Sequence, residues 1–254
     1  MDDGAFEDAA RHYREALAAQ PNNAALWMEL AGAEMGAERY ERARDAFTHA
    51  AQLDPANPRP RMRIGETWEL QRRWDEARSA YQHAVALAPN DARPNRLLGT
   101  RLLRWGENEA AIEPLARATV LAPEHVETWR ALGLAQYNAR RVDDAEATFR
   151  HALALAPDDR GLRLSLAALL INARRFEEAI RIYDELLSRE PAFAPAHIGR
   201  AILFEELGRF ANAERAYQDA IRTAPDAREY NERLDEFRRR REHPAQPASG
   251  SRPH

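Results

Sequence analysis

Apolar residues recur along the chain at the spacing of one helix face. Within each period of 34 residues, an alanine is followed four positions later by a mostly aromatic position and three positions after that by a second small residue. The first two columns are Ala9, Ala43, Ala77, Ala111, Ala145, Ala179, Ala213 and Tyr13, Phe47, Tyr81, Leu115, Phe149, Tyr183, Tyr217. Residues three and four apart share one face of an α-helix. Each period therefore predicts an amphipathic helix whose small residues let a neighbouring helix approach closely.

A proline recurs at the same interval, so seven of the fifteen prolines share one register. They are Pro21, Pro55, Pro89, Pro123, Pro157, Pro191 and Pro225. Proline cannot continue a helix and drives the preceding residue toward an extended conformation, so each helix is expected to end there. The Asn or Asp two positions later, as at Asn23 and Asp91, can cap the next helix. A fixed period of this length is typical of stacked repeat proteins.

A second predicted helix precedes each alanine-rich one, so each period is a helical hairpin. Its small positions are Ala31, Gly65, Gly99, Gly133, Ala167 and Ala201. We predict six full repeats, at residues 24–57, 58–91, 92–125, 126–159, 160–193 and 194–227. Residues 1–23 are predicted to be the second helix of an incomplete repeat, residues 228–242 to form a capping helix and residues 243–254 to be a disordered tail.

The pattern resembles the tetratricopeptide repeat (TPR) family, most clearly in residues 128–157. That segment carries Trp129, Leu132, Gly133, Ala145, Phe149, Ala152 and Pro157. The resemblance implies an all-α fold in which antiparallel helix pairs stack into a right-handed superhelical solenoid. It also implies a concave face lined by the first helix of each pair, in a protein that binds other proteins.

Composition excludes several kinds of chemistry. The chain has no cysteine, and all of its Lys+Arg total of 37 is arginine, which removes thiol nucleophiles, zinc–thiolate sites and lysine-dependent mechanisms. No catalytic triad spacing or glycine-rich phosphate loop is present. We therefore predict a protein that is not an enzyme, with no cofactor and no metal. The acidic start and the lack of a long apolar run predict a cytoplasmic protein without a membrane span.

Projection of the first helices inward predicts a peptide-binding groove. Its candidate residues are Arg93, Arg96, Arg104, Arg130, Tyr137, Asn138, Leu164, Ile171 and Asn172. Arginine binds carboxylates through paired hydrogen bonds, so an acidic partner peptide is expected, which would make the protein an adaptor or assembly scaffold. The alternative is that these arginines pair with Glu66, Glu69 and Glu127 on neighbouring helices.

Two other functions stay open at this point. Phe6, Ala9 and Tyr13 lack a first helix to cover them, which predicts a self-associating scaffold, a homo-oligomer, unless the chain belongs to a longer protein. The arginine run Arg238–Arg241 suggests nucleic acid as a partner, but the net charge of -4 and the neighbouring glutamates argue against it.

Overall fold

The computed structural model describes residues 3–242, and within that range it contains fourteen α-helices and no strand. In chain order they are α1 (Asp3–Ala19), α2 (Ala24–Gly36), α3 (Tyr40–Leu53), α4 (Arg59–Leu70), α5 (Trp74–Leu87), α6 (Ala92–Arg104), α7 (Asn108–Leu121), α8 (Val126–Asn138), α9 (Val142–Leu155), α10 (Arg160–Asn172), α11 (Phe176–Arg189), α12 (Ala194–Glu206), α13 (Phe210–Thr223) and α14 (Arg228–Glu242). The all-α expectation is confirmed.

The described helices fall into two compact units, residues 3–141 and residues 142–242. The first unit contains α1 to α8 and the second contains α9 to α14. Within each unit every helix packs on the next one along the chain. The division into six repeats stays a prediction, and the predicted disordered tail lies outside the described residues.

Side chains before the first helices of several pairs cap them as predicted. Asn23 accepts a hydrogen bond from the Leu26 amide at 3.2 Å, and Asp159 accepts one from the Leu162 amide at 2.9 Å. These bonds satisfy amide groups that have no partner inside the helix. The starts of α2 and α10 are thus fixed a few residues after Pro21 and Pro157 of the 34-residue register.

The turns inside the pairs share a left-handed residue, which a glycine marks in the sequence at only two positions. Positive φ angles recur every 34 residues at Glu38, Arg72, Gly106, Arg140, Arg174 and Gly208. In the first such turn, the Arg39 amide donates to the Glu34 carbonyl at 2.8 Å. This bond closes the helix end in the manner of a Schellman motif. The motif reverses the chain so that the second helix can pack on the first.

The small-residue columns bring paired helices into close contact. Ala43, Ala77 and Ala111 are fully buried. Gly65 of α4 lies against the ring of Tyr81 of α5, so close that a Cβ atom at Gly65 would stand 2.4 Å from the Tyr81 Cε1. The core therefore forms where an aromatic ring of the second helix lies on a bare backbone segment of the first.

The helix α14 covers the last pair of the second unit. Its Leu234 and Phe237 are buried, and the Phe237 ring centroid lies 5.5 Å from that of Tyr217 on α13. Tyr230 packs at the edge of the same cluster. The other residues of α14 are mostly polar, which suits a helix that packs on one side and faces solvent on the other.

Candidate functional site

The first unit contains a pocket of about 440 Å³ built by α4, α6 and α8, the first helices of three consecutive pairs. Its apolar lining is Met62, Leu97, Leu103, Ala131 and Leu134. Around it lie Arg93 and Arg96 of α6 and Arg130 of α8, and Glu127 is the only carboxylate among the described lining residues. The structure thus brings three of the predicted groove arginines to one apolar depression.

The three arginines differ in how far they are already paired. Arg93 Nη2 lies 2.6 Å from the Asp91 Oδ2, and this hydrogen bond holds the pKa of Asp91 below its usual range. Arg130 pairs with Glu127 one turn earlier on the same helix. Arg96 is half-buried and makes no hydrogen bond or ion pair within residues 3–242; it acts on Asp91 only at longer range. Arg96 is therefore the pocket's unpaired cation.

Arg104 is used differently from these three. Its Nη1 lies 3.8 Å from Glu69 Oε1, and the same carboxylate accepts a hydrogen bond from the Tyr81 hydroxyl at 3.0 Å. Arg101 Nε lies 3.0 Å from Glu69 Oε2. Burial, followed by the nearby Glu69 charge, raises the pKa of Tyr81 well above its ordinary value. The structure therefore places Arg104 beside a glutamate of the neighbouring first helix, which is the alternative that the sequence left open.

The remaining predicted groove residues do not line this pocket. Tyr137 is half-buried near the end of α8, and Asn138 Nδ2 donates to the Asn108 Oδ1 of α7 at 3.1 Å. Leu164, Ile171 and Asn172 belong to α10 in the second unit, where Leu164 and Ile171 are half-buried and Asn172 is exposed. Their role in binding stays a prediction.

The amino-terminal helix α1 meets α2 through Ala10 and Leu17, which are 0% and 6% exposed. Phe6 rests against Gly36 of α2, while Ala9 and Tyr13 are only half-buried. In the later second helices of the first unit, the residues in the columns of Ala9 and Tyr13 are fully buried. A strip of α1 that is core elsewhere is therefore partly open to solvent.

Two family models described as tetratricopeptide repeat match the chain, one at residues 34–99, 139–197 and 170–232 and the other at residues 1–58 and 96–160. The chain belongs to the tetratricopeptide repeat family. No curated protein matches it.

Several solved structures have the same fold as this TPR chain. The C-terminal part of a TPR repeat-containing protein from Cytophaga hutchinsonii superposes with a TM-score of 0.71 at 15% identity, covering 90% of this chain and 94% of that one. The MamA protein superposes with a TM-score of 0.62 at 22% identity, covering 69% of this chain and 96% of that one. PilF of Pseudomonas aeruginosa gives 0.56 at 20% identity, covering 89% and 99%. At these identities the likeness shows the fold.

The arginine run of this TPR chain is mostly engaged within the second unit. Arg238 Nη2 lies 2.6 Å from Glu214 Oε1, and Arg240 Nη2 lies 3.2 Å from Glu205 Oε1. The Arg241 guanidinium lies 5.0 Å from the ring centroid of Phe210. Charges already held by glutamates and rings are poorly placed to neutralise phosphates. The run acts mainly to fasten α14 to α12 and α13.

Glu205 repeats the arrangement of Glu69. The Tyr217 hydroxyl donates to Glu205 Oε2 at 3.2 Å, and burial, with the Glu205 charge, raises the pKa of Tyr217 to about 12. These carboxylates are structural acceptors for tyrosines twelve residues further along the chain. Within residues 3–242, no group of three or more acidic, His or Cys side chains is placed to hold a metal ion, and every helix is too short or too polar to span a bilayer.

The apolar floor of the pocket is what sequence reasoning largely missed. Leu97 and Leu103 of α6 were overlooked because the neighbouring Leu98 carries the obvious core pattern. The sequence does mark these two leucines. Spacings of three and four residues place them on one face of α6 with Arg93, Arg96 and Thr100.

Proposed function

We propose that this TPR chain binds an acidic segment of a partner protein at the pocket between α4, α6 and α8, and thereby serves as an adaptor or assembly scaffold. The coarse role, a protein–protein interaction scaffold, follows from the family. The observation that carries the finer proposal is the unpaired Arg96 beside an apolar floor, flanked by Arg93 and Arg130. The proposed role is binding, without catalysis.

The chemistry of the pocket favours a carboxylate beside an apolar side chain. A guanidinium offers a planar pair of donors that matches a carboxylate, and such charge-assisted bonds are stronger than neutral ones. Met62 and Leu134 provide an apolar surface at the same place. A segment that alternates acidic and apolar residues would therefore satisfy both parts of the lining.

The flanking pairs do not block this binding. The Arg93 side chain is 63% exposed, and the Arg130 and Glu127 side chains are 37% and 56% exposed. Exposed ion pairs contribute little to stability, so exchanging an internal carboxylate for one from a partner costs little. Arg96 needs no such exchange.

Reversing the charge of Arg96 and Arg130 tests the proposal. The double variant Arg96→Glu with Arg130→Glu is expected to weaken binding of a fluorescein-labelled peptide of alternating glutamate and leucine by about tenfold or more, since each attraction becomes a repulsion. Fluorescence anisotropy gives the affinity, and circular dichroism checks that helicity is retained.

The matched control is Arg42→Glu with Arg215→Glu. Both arginines are exposed on second helices and make no ion pair within the described residues, so the net charge changes equally away from the pocket. This control is expected to bind the peptide nearly as the wild type does. Equal weakening in both double variants would mean that total charge governs binding, and the assignment to this pocket would be withdrawn.

A second candidate function is self-association through α1, favoured by the half-exposed Ala9 and Tyr13. If a second copy covers this strip, the wild type is expected to show a mass that rises with concentration in sedimentation equilibrium. Phe6→Asp or Tyr13→Asp would then give a monomer mass, because a buried unpaired carboxylate disfavours the contact. A monomeric wild type at all concentrations would exclude it.

A further inference from the structure

In several pairs, a side chain of the first helix makes a hydrogen bond to the proline of the preceding turn. The bond runs from a side-chain N–H to the carbonyl of the proline six residues earlier. Trp27 Nε1 donates to the Pro21 oxygen at 2.8 Å, Trp129 Nε1 to the Pro123 oxygen at 2.8 Å, His197 Nε2 to the Pro191 oxygen at 2.9 Å, and the Arg163 guanidinium to the Pro157 oxygen. The position is therefore built for a large side chain with an N–H donor.

Asn95 occupies this position in α6 and is too short for the task. The residue is 4% exposed, yet among residues 3–242 its Nδ2 has no hydrogen-bond partner, and it does not bond to the Pro89 carbonyl. A buried amide without a partner is costly and rare in folded proteins. Arg61, the equivalent residue of α4, also lacks the proline bond, but its longer side chain is only half-buried.

A pocket of about 650 Å³ lies at the position where the large side chain is missing. Residues of α5, α6 and α7 line it. It is lined by Asn95 and Pro89 together with the apolar Val85, Leu98 and Pro114. At its rim, Val120 is 70% exposed. This volume lies within the range of roughly 300–1,000 Å³ typical of ligand sites.

Arg117 occupies the position of a residue that stacks on tryptophan in another repeat. It lies two periods after His49, whose ring stacks on Trp27 with centroids 4.5 Å apart and planes 26° apart. Arg117 lines the pocket, is exposed, and makes no ion pair within the described residues. A planar guanidinium stacks readily on an aromatic face. The residue that would cover an indole is thus present, whereas the indole is not.

We propose that this pocket receives a tryptophan side chain of a partner protein, whose indole N–H donates to the Pro89 carbonyl while its ring lies against Arg117. The occupant is inferred from Trp27 and Trp129, which fill the same position from within the chain. Tryptophan is among the residues that most often anchor protein interfaces. Asn95 Nδ2 then offers a donor to a carbonyl of the partner's main chain. This site uses none of the residues assigned to acidic-segment binding.

The test uses N-acetyl-5-fluorotryptophanamide as the probe, observed by fluorine NMR with the full chain. Saturable broadening or shift of the fluorine signal is expected. The analogue methylated at the indole nitrogen has no donor, so it is expected to bind about tenfold more weakly. Equal binding of the two probes, or no saturable binding at all, would overturn the proposal.

Variants locate the binding. Asn95→Trp should fill the pocket from within, abolish probe binding and raise the melting temperature. Arg117→Ala should weaken binding about two- to fivefold. The matched control is His83→Ala, an exposed residue of the same column one repeat earlier, and it should bind as the wild type. Wild-type affinity in a folded Asn95→Trp variant, or equal losses in Arg117→Ala and His83→Ala, would rule this pocket out.

Discussion

Replacing Phe237 by alanine is expected to lower the free energy of unfolding by about 3–5 kcal/mol, the usual cost of deleting a fully buried aromatic ring. Phe237 is 0% exposed and packs between Tyr217 and Phe210, with ring centroids 5.5 and 6.3 Å away. Only Leu234 is otherwise buried on α14. Loss of the ring removes the larger of the two buried side chains that hold this helix on α13.

Because each repeat contacts only its neighbours, the damage should be local. Hydrogen exchange measured by mass spectrometry is expected to show faster exchange in α13 and α14, with α10 nearly unchanged, and urea unfolding gives the energy. Phe210→Ala is the control, since Phe210 is 41% exposed and its ring lies beside that of Phe237. Equal losses in the two variants would show that α14 is not held by its buried ring.

The buried face of α14 was predictable because its signal is local. Tyr230, Leu234 and Phe237 stand four and three residues apart in an otherwise polar segment, which fixes a helix with a single apolar face. The same reasoning predicted the hairpins, since the alanine and aromatic columns and the prolines keep one register. Periodicity of this kind indicates which faces are buried before any contact is known.

The turns between paired helices were less predictable. Only Gly106 and Gly208 signal a left-handed residue, whereas Glu38, Arg72 and Arg174 adopt the same conformation without the usual sequence mark. The division of the described helices into two units was hidden as well. Every repeat has similar columns, so no change in pattern occurs where the units divide.

The helix face that carries the site was predictable from the sequence. The ion-pair partners of its side chains were not. Helical phase placed Arg96 and Arg104 on the face lined by the first helices. It does not decide which of these side chains forms an ion pair with a carboxylate. Glu69 is paired with Arg101 and Arg104, and Asp91 is paired with Arg93, whereas Arg96 has no such partner within residues 3–242. The pocket at Asn95 depends on the length of a single side chain, which periodicity alone does not register.

Replacing Gly65 by valine is expected to lower the free energy of unfolding by about 3 kcal/mol, because the position has no room for a side chain. A Cβ atom there would lie 2.4 Å from the Tyr81 ring. That ring cannot give way easily, since Tyr81 is 0% exposed and its hydroxyl is bonded to Glu69, which Arg101 also contacts. The clash is thus transmitted to a partly buried hydrogen bond between α4 and α5.

The matched control is Gly32→Val, at a helical glycine of α2 where a Cβ would meet nothing within 4 Å. Valine and glycine differ by only a few tenths of a kcal/mol in helix propensity, so this variant should be nearly neutral. Urea unfolding followed by circular dichroism measures both, and the m-value shows whether cooperativity is kept. If Gly65→Val proved as stable as Gly32→Val, close helix contact at the glycine would not be what holds α4 against α5. The small-residue columns would then need another explanation.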